Sequence, residues 1–190
     1  MIRKAITLIA SVGLLAAATA AEAQTFDTRN IIGGGQNFFA TGASPIPRTT
    51  VYFPETYAPG TIIIDTAERR LYLVEGNGQA LRYGIGVGRD GFRWSGVHHI
   101  SAKKEWPSWT PPREMLARRP DLPRHMEGGI ENPLGARAMY LGSTLYRIHG
   151  SNEPETIGQA VSSGCFRMTN DDVTDLYNRV SVGALVIVKN

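Results

Sequence analysis

Short apolar runs recur along the chain from residue 61 onward, and most are rich in β-branched or aromatic side chains. Polar turns separate them, and Asn77-Gly78 is a strong signal for a tight hairpin turn. Runs of this length and composition, bounded by turn residues, predict β-strands. The predicted strands cover residues 61–65, 71–74, 81–87, 97–106, 137–141, 145–149 and 185–188. We therefore predict a mainly β fold, built as a β-sandwich or a partly closed barrel.

One stretch near the C-terminus changes from strand spacing to helical spacing. Its apolar residues recur at intervals of three and four, which is the spacing of one helix face. Thr169 or Asn170 can cap its start, acidic residues follow in the first turn, and Gly183 is expected to end it. The apolar positions are Val173, Leu176, Tyr177 and Val180. This is the one main α-helix that the sequence predicts.

Residues 107–135 contain too many prolines and glycines for a long regular element. A short helix is predicted over residues 113–119, because Pro112 suits a first helical turn and Pro120 cannot continue the helix. Irregular stretches of this length in compact domains are usually functional or mobile. We expect this segment to form a lid or one wall of a groove.

The first 58 residues differ in character from the rest. A basic start, an Ala-rich apolar run and the small-x-small triplet Ala21-Glu22-Ala23 predict a signal peptide over residues 1–23, with export and no stable membrane span after its removal. The alternative is an uncleaved signal anchor, which the cleavage triplet disfavours. Residues 24–58 have no sustained period and are predicted to form an extended, partly ordered leader. Residues 59–190 then form one domain. Three leader aromatics are expected to pack on it: Tyr52, Phe53 and Tyr57.

Charge and cysteine content narrow the functional classes. The formal net charge is only +3, and Lys and Arg do not cluster with aromatic residues, so nucleic acid is not an expected partner. The chain has a single cysteine and therefore no internal disulfide. A zinc hydrolase is disfavoured because the candidate ligands lack helical i, i+4 or C-x-x-C spacing, and no metal or cofactor is predicted. Those candidates are His98, His99, His125, His149 and Cys165.

The candidate chemistry centres on Cys165, which follows Ser162-Ser163-Gly164 and precedes Phe166-Arg167. Two serines and a glycine make a poor core strand but a good turn that presents a thiol. His149 lies at the end of a predicted strand and is a plausible base, and a Cys-His pair can exist largely as thiolate and imidazolium. The alternatives are a packing cysteine and a hydrogen-bonded structural histidine.

The His149-Gly150 pair, a spacer of about fifteen residues and the sequence Ser-Ser-Gly-Cys-Phe-Arg-Met resemble the signature of the L,D-transpeptidase catalytic domain, whose members are cysteine enzymes that remodel bacterial peptidoglycan. Many members have a second His before the Gly-Cys pair, where this chain has Ser163. That difference resembles the serine-containing branch. The resemblance covers roughly residues 59–190, including Trp106 to Pro112 and Asn132 to Gly135.

The resemblance implies an L,D-transpeptidase-like fold and assigns roles to the site. Cys165 is the nucleophile, His149 the proton donor and acceptor, and the Gly150 carbonyl orients the imidazole. Backbone N–H groups of Gly164 and Cys165 are expected to form the oxyanion hole, since Gly allows close approach to the substrate. The expected substrate-binding residues are Arg167, whose guanidinium can pair with a carboxylate, together with Ser162, Ser163 and Trp109. A solvated or core-bridging Arg167 and a tryptophan in the core are the alternatives.

The implied reaction is attack by Cys165 on the carbonyl between an L-centre and D-Ala in a peptidoglycan stem, giving an acyl thioester that an amine resolves. The acceptor is left open between a neighbouring stem, in a 3-3 cross-link, a lipoprotein Lys, a D-amino acid and water. The resemblance also implies a periplasmic location and acylation by carbapenems. Two alternatives remain at this stage: an L,D-carboxypeptidase or endopeptidase on the same fold, and a non-catalytic cell-wall-binding module.

Overall fold

A computed structural model describes residues 43–54 and 56–190. The predicted signal peptide, residues 1–23, and the leader up to residue 42 lie outside the described residues. Neither helix of the described part is long and apolar enough to cross a membrane.

The described chain is mostly strands, which confirms the predicted mainly β class. The strands are β1 Thr49–Tyr52, β2 Ile62–Asp65, β3 Arg70–Gly76, β4 Gln79–Gly84, β5 Val87–Gly88, β6 Gly96–Glu105, β7 Arg137–Leu141, β8 Arg147–His149, β9 Ala160–Ser162, β10 Phe166–Arg167 and β11 Leu185–Lys189. The helices are α1 Arg113–Arg118, α2 Asn170–Arg179 and the 3₁₀ turn Pro154–Thr156.

Nine strands form one sheet in the order β1-β4-β3-β2-β11-β6-β7-β8-β10, and β5 pairs with β9 in a separate two-stranded sheet. The ten residues of β6 serve two neighbours, because its first half pairs with β11 and its second half with β7. Most pairs are antiparallel, while β11 runs parallel to β2 and β10 runs parallel to β8. The long strand β6 thus joins two halves of the sheet around one core.

The nine-stranded sheet is not closed into a barrel, because it has two separate edges, β1 and β10. Only a single bridge, Gly86 to Arg167, connects β10 to the segment after β4. The predicted strand over residues 81–87 is divided, because β4 ends at Gly84 and β5 begins at Val87. Ile46 packs against Gly84, where an added Cβ would lie 2.6 Å from the Ile46 Cβ.

One core of buried aliphatic and aromatic residues fills the space between the two halves of the sheet. Ile62 and Ile64 of β2 meet Met139 of β7 and Ile148 of β8 in this core. These residues alternate along their strands, as the side chains of a pleated strand must if one face is buried. A smaller cluster on the other face of β2 contains Ile63 and is closed by Phe53.

The helix α2 has the predicted Thr169 cap, but it ends at Arg179, four residues before the expected stop at Gly183. Thr169 precedes it in an extended conformation and its hydroxyl accepts a hydrogen bond from the Asp172 N–H at 3.2 Å. Val173 and Leu176 are fully buried in the core. On β6, the Lys103 ammonium donates to the carbonyls of Tyr177 and Val180 at the helix end, which satisfies acceptors that lack helical partners.

The described part of the leader adds a strand, a buried aromatic side chain and an ion pair to the domain. β1 adds an edge strand to β4, and Phe53 is buried beside Tyr72. Tyr57 packs against the same cluster, whereas Tyr52 is 80% exposed. The Arg48 guanidinium pairs with Asp172 of α2 at 3.2 Å. Residues 43–54 therefore pass over both the sheet and the helix that follows Cys165.

Candidate active site

Two short parallel strands bring the predicted catalytic residues together. In the pairing of β8 with β10, Phe166 is aligned with Ile148 and Arg167 with His149. Phe166 and Ile148 are both buried in the core. Aligned residues of paired strands share a face, so His149 and Arg167 lie on the opposite face, as does Cys165 two residues before Arg167. The paired strands thus put His149 and Cys165 on one face, two positions apart in register.

We call residues 162–165 the nucleophile turn. The Ser162 side chain holds it closed, because its hydroxyl donates to the Cys165 carbonyl at 2.6 Å and accepts from the Gly164 N–H at 3.1 Å. Ser162 is only 4% exposed. Its place is therefore inside the turn, and the Gly164 N–H, one of the two expected oxyanion donors, is already committed to it.

Trp94 fixes the other side of the turn. Its indole N–H donates to the Gly164 carbonyl at 2.7 Å, and its ring stacks on Tyr146 with centroids 4.5 Å apart. The Tyr146 ring lies directly against Gly164, where an added Cβ would be 2.5 Å from it. Gly164 also has a φ of +109°, which side chains rarely adopt. Glycine is thus required here by both space and backbone conformation.

The Trp94 hydrogen bond also orients the remaining oxyanion donor. In a trans peptide the carbonyl and the following N–H point in opposite directions, and the described residues contain no cis peptide. With the Gly164 carbonyl held toward Trp94, the Cys165 N–H points to the other side. Backbone hydrogen bonds in the turns and loops of the described residues include none from this N–H. Of the two expected donors, only the Cys165 N–H is therefore open toward a ligand.

His149 is oriented by its own backbone neighbour. Its Nδ1 lies 2.6 Å from the Gly150 carbonyl oxygen, and the side chain is only 4% exposed. A carbonyl can only accept a hydrogen bond, so Nδ1 must carry the proton. The neutral ring then has its lone pair on Nε2, which is the nitrogen able to take a proton from a thiol.

Burial keeps both members of the pair uncharged. It lowers the pKa of His149 to about 3, with a further lowering from the Arg167 guanidinium, an opposing effect of the Gly150 carbonyl, and a smaller lowering from Arg147. Burial raises the pKa of the Cys165 thiol, although Arg147 and Arg167 act in the opposite direction. Both shifts favour the neutral imidazole and the neutral thiol over the imidazolium and the thiolate.

Arg167 and Trp109, two of the expected substrate-binding residues, lie in different surroundings. The Arg167 guanidinium pairs with Glu153 at 2.7 Å, in the loop between His149 and the turn. Trp109 is buried, and its backbone pairs with Met126 within the 107–135 segment. Ser163 is half-buried on the nucleophile turn.

The described residues contain no group of three or more His, Cys, Asp or Glu arranged to hold a metal ion.

Four residues of the site were not identified from the sequence: Trp94, Tyr146, Arg147 and Glu153. Trp94 lies 70 positions before the carbonyl it binds, and no local pattern links the two. Glu153 lies in the spacer between the His149-Gly150 pair and the nucleophile turn, where no local pattern marks it. Arg147 had a detectable signal, because it precedes His149 by two positions on a predicted strand and must share its face.

Comparison with known proteins gives one family. The family model of the YkuD L,D-transpeptidase catalytic domain matches residues 59–188. The chain is 37% identical over 150 residues to the probable L,D-transpeptidase ErfK/SrfK of Escherichia coli K12, covering 74% of this chain and 47% of the relative. It shows the same identity and coverage with the probable L,D-transpeptidase YbiS of that strain. The chain spans about half the length of these curated relatives.

Solved structures agree at the level of the fold. An L,D-transpeptidase from Mycobacterium smegmatis superposes with a TM-score of 0.57 at 18% identity, covering 72% of this chain and 61% of that one. A Brucella melitensis protein described as a probable carnitine operon oxidoreductase is 47% identical, with a TM-score of 0.52 and coverage of 78% and 96%. Because a model for the whole catalytic domain and the named bacterial relatives match this region, the chain belongs to the L,D-transpeptidase catalytic-domain family.

Proposed function

We propose that this protein is an exported, periplasmic L,D-transpeptidase that acts on peptidoglycan stem peptides through an acyl-enzyme on Cys165. The observation that supports this most is the β8–β10 pairing. The proposal is supported by this pairing because an imidazole held by the Gly150 carbonyl lies on the same face as the thiol, which is carried by a hydrogen-bonded turn. A packing cysteine would need none of these features.

In the first step, His149 Nε2 takes the thiol proton as sulfur attacks the carbonyl between the L-centre and D-Ala. Burial disfavours a separated thiolate, so proton transfer and attack are expected to occur together. Charge then develops on the carbonyl oxygen, and the Cys165 N–H is the donor positioned to bind it. The C–N bond breaks, the imidazolium returns its proton to the leaving amine, and D-Ala departs.

In the second step, an acceptor attacks the thioester. An incoming amine forms the new amide while His149 removes its proton, and the released sulfur regains a proton from the imidazolium. The acceptor amine belongs to a neighbouring stem in a 3-3 cross-link, or to a lipoprotein Lys. Water at this step gives the alternative hydrolase, an L,D-carboxypeptidase or endopeptidase. The same residues serve both outcomes.

The test is incubation of the mature protein with defined tetrapeptide muropeptides, followed by mass analysis of the products. A dimer that has lost one D-Ala supports cross-linking, a tripeptide with free D-Ala supports hydrolysis, and exchange of D-Ala for an added D-amino acid supports acyl transfer to small amines. No product of any kind, with folded protein, would favour the wall-binding module.

Carbapenem acylation provides a second, independent measurement. The intact mass should rise by one adduct, and digestion should place that adduct on the Cys165 peptide. This probe is more specific than a general thiol reagent, because alkylation also modifies an accessible cysteine that has no catalytic role. Wild-type protein that gains no adduct would contradict the proposed acyl-enzyme.

A further inference from the structure

Arg147 occupies the position beside the nucleophile on the neighbouring strand. It is the first residue of β8, directly before the Ile148–Phe166 pair, so it lies alongside Cys165, the residue directly before that pair on the parallel strand. The Cys165 sulfur also approaches the Leu145 carbonyl, at 3.9 Å, which places it at this end of β8. Arg147 and His149 are two residues apart and share the face that carries the thiol.

The Arg147 guanidinium has no hydrogen bond or ion pair among the described residues. Its Nε is shielded from solvent and unpartnered. Arg82 and Arg137 also have a shielded, unpartnered Nε, but each places another guanidinium nitrogen on an oxygen, of Thr49 and of Ala136 respectively. Arg147 only rests over the Tyr140 ring, at 5.3 Å from its centroid. It is thus a half-buried cation that lacks an acceptor.

Arg167, the arginine expected to bind substrate, differs in this respect. Its guanidinium already meets a carboxylate of the protein, Glu153, at 2.7 Å. A substrate carboxylate would have to displace Glu153, while at Arg147 it would meet unused donors. A shielded hydrogen-bond donor without a partner is unfavourable. A ligand that supplies an acceptor to it therefore binds with more favourable free energy.

We propose that Arg147 binds a carboxylate of the donor stem next to the scissile carbonyl, and that it determines the preference of this site for anionic donors. The inference rests on the proposed function for the identity of the donor, but the anion site itself does not. Two groups of a stem have the required chemistry: the α-carboxylate of the departing D-Ala and a side-chain carboxylate of the residue that becomes the acyl group.

The primary test compares two alkylating reagents that differ by one carboxylate. Iodoacetate and iodoacetamide both alkylate Cys165, so the ratio of their rate constants cancels changes in thiol reactivity that are common to both. In Arg147→Gln the iodoacetate to iodoacetamide ratio should fall about tenfold, the scale of one charge-assisted hydrogen bond. Arg147→Lys should retain part of the ratio, because it keeps the charge but loses the planar fork. Arg82→Gln, the matched control, should keep the wild-type ratio.

If the ratio is unchanged in Arg147→Gln and falls instead in Arg167→Gln, the anion site is at Arg167 and the proposal is wrong. If Arg147→Gln does not fold, the proposal can still be tested by comparing the wild type with Arg147→Lys in a ligand-protection experiment. D-alanine should slow alkylation of the wild type, whereas D-alaninamide should not, and this protection should weaken in Arg147→Lys. Equal protection of both proteins would overturn the assignment.

A double-mutant cycle identifies the carboxylate. Tetrapeptides with a free and an amidated C-terminus are compared on wild type and Arg147→Gln by kcat/KM. If Arg147 binds the terminal carboxylate, amidating that carboxylate lowers kcat/KM of the wild type but has little effect on kcat/KM of Arg147→Gln. If Arg147 binds the side-chain carboxylate, the effects of amidation and of the Arg147→Gln substitution are non-additive only when the side-chain carboxylate is the group amidated. A chain that shows the reagent effect but turns over no stem peptide would retain the anion site and contradict the proposed function.

Discussion

The nucleophile turn and the 107–135 segment are held in different ways. The turn is fixed by residues far from it in sequence or buried within it: the Trp94 indole, the Tyr146 ring and the Ser162 hydroxyl. The 107–135 segment is held mainly by its own residues, such as the Trp109–Met126 bridge and the Thr110–His125 contact. Its helix α1 buries none of its residues and has no side-chain cap.

This difference in support suits two different demands, a fixed geometry at the reacting groups and a more adaptable backbone in the 107–135 segment. Groups that act on the reacting bond must keep their geometry within fractions of an ångström, which requires locked rotamers and supporting hydrogen bonds. A segment held by short-range contacts can be reshaped at lower free-energy cost. We therefore expect substitutions in the turn to change the chemical step and substitutions in the 107–135 segment to change it much less.

Cys165→Ala should abolish turnover and leave the fold intact, since it removes one small side chain from a half-buried position. Product analysis with tetrapeptide muropeptides measures the activity, and thermal unfolding checks the fold. A mutant that still trims or cross-links stems at the wild-type rate would show that the nucleophile lies elsewhere.

His149→Gln should lower kcat by roughly a hundredfold or more, the scale for loss of a general base, with KM little changed. Gln retains polarity and can still donate to the Gly150 carbonyl, but it cannot accept the thiol proton. The pH-rate profile should change with it. A mutant whose profile matches the wild type would mean that another group removes the proton.

Protonation of His149 should destabilise the fold in acid. Its pKa is about 3 when folded and near 6.5 when unfolded, so the unfolded state binds more protons between these values. The free energy of unfolding should therefore fall as pH drops from 6.5 toward 3, by up to about 1.4 kcal/mol per pH unit from this group. Denaturant unfolding at pH 7, 6 and 5 measures it. In His149→Gln this contribution should be missing, and equal slopes in both proteins would rule it out.

Trp94→Phe should lower kcat about tenfold while KM stays near the wild-type value, less than the loss of an oxyanion donor itself. The ring can still stack on Tyr146, but the hydrogen bond that orients the Gly164–Cys165 peptide is lost. Tyr83→Phe is the matched control, since it removes a 2.6 Å hydrogen bond to Asp175 away from the turn. It should reduce stability without reducing kcat. If both variants lose kcat in proportion to stability, Trp94 has only a structural role.

Leu116→Ala, in α1, should have the smallest effect, changing the free energy of unfolding by less than about 1 kcal/mol. The same substitution at Leu176, fully buried in α2, should cost about 2–5 kcal/mol. Urea unfolding of the two variants gives both values. A cost at Leu116 comparable to that at Leu176 would show that α1 is packed as tightly as the core, and the contrast between the two regions would fail.

Several features of this chain could be predicted from local sequence because their causes are local. The α2 helix follows from apolar spacing and the Thr169 cap, and β7 follows from a run bounded by turn residues. The nucleophile turn is readable because Ser, Gly and Cys have conformational and chemical preferences that do not depend on distant residues. The short helix α1 was also predicted, since the prolines around it restrict the backbone directly.

The tertiary structure alone decided how those pieces are held and charged. Trp94 approaches Gly164 only because strand pairing brings residues 70 positions apart into contact, and sequence spacing carries no record of that distance. The neutral state of His149 depends on burial by the whole fold, which outweighs the preference of an isolated Cys-His pair for opposite charges. Likewise, among the described residues Arg167 forms an ion pair and Arg147 does not, because the loop that carries Glu153 lies against Arg167. Local chemistry selects the reacting groups, while their orientation, protonation and partners are properties of the packed molecule.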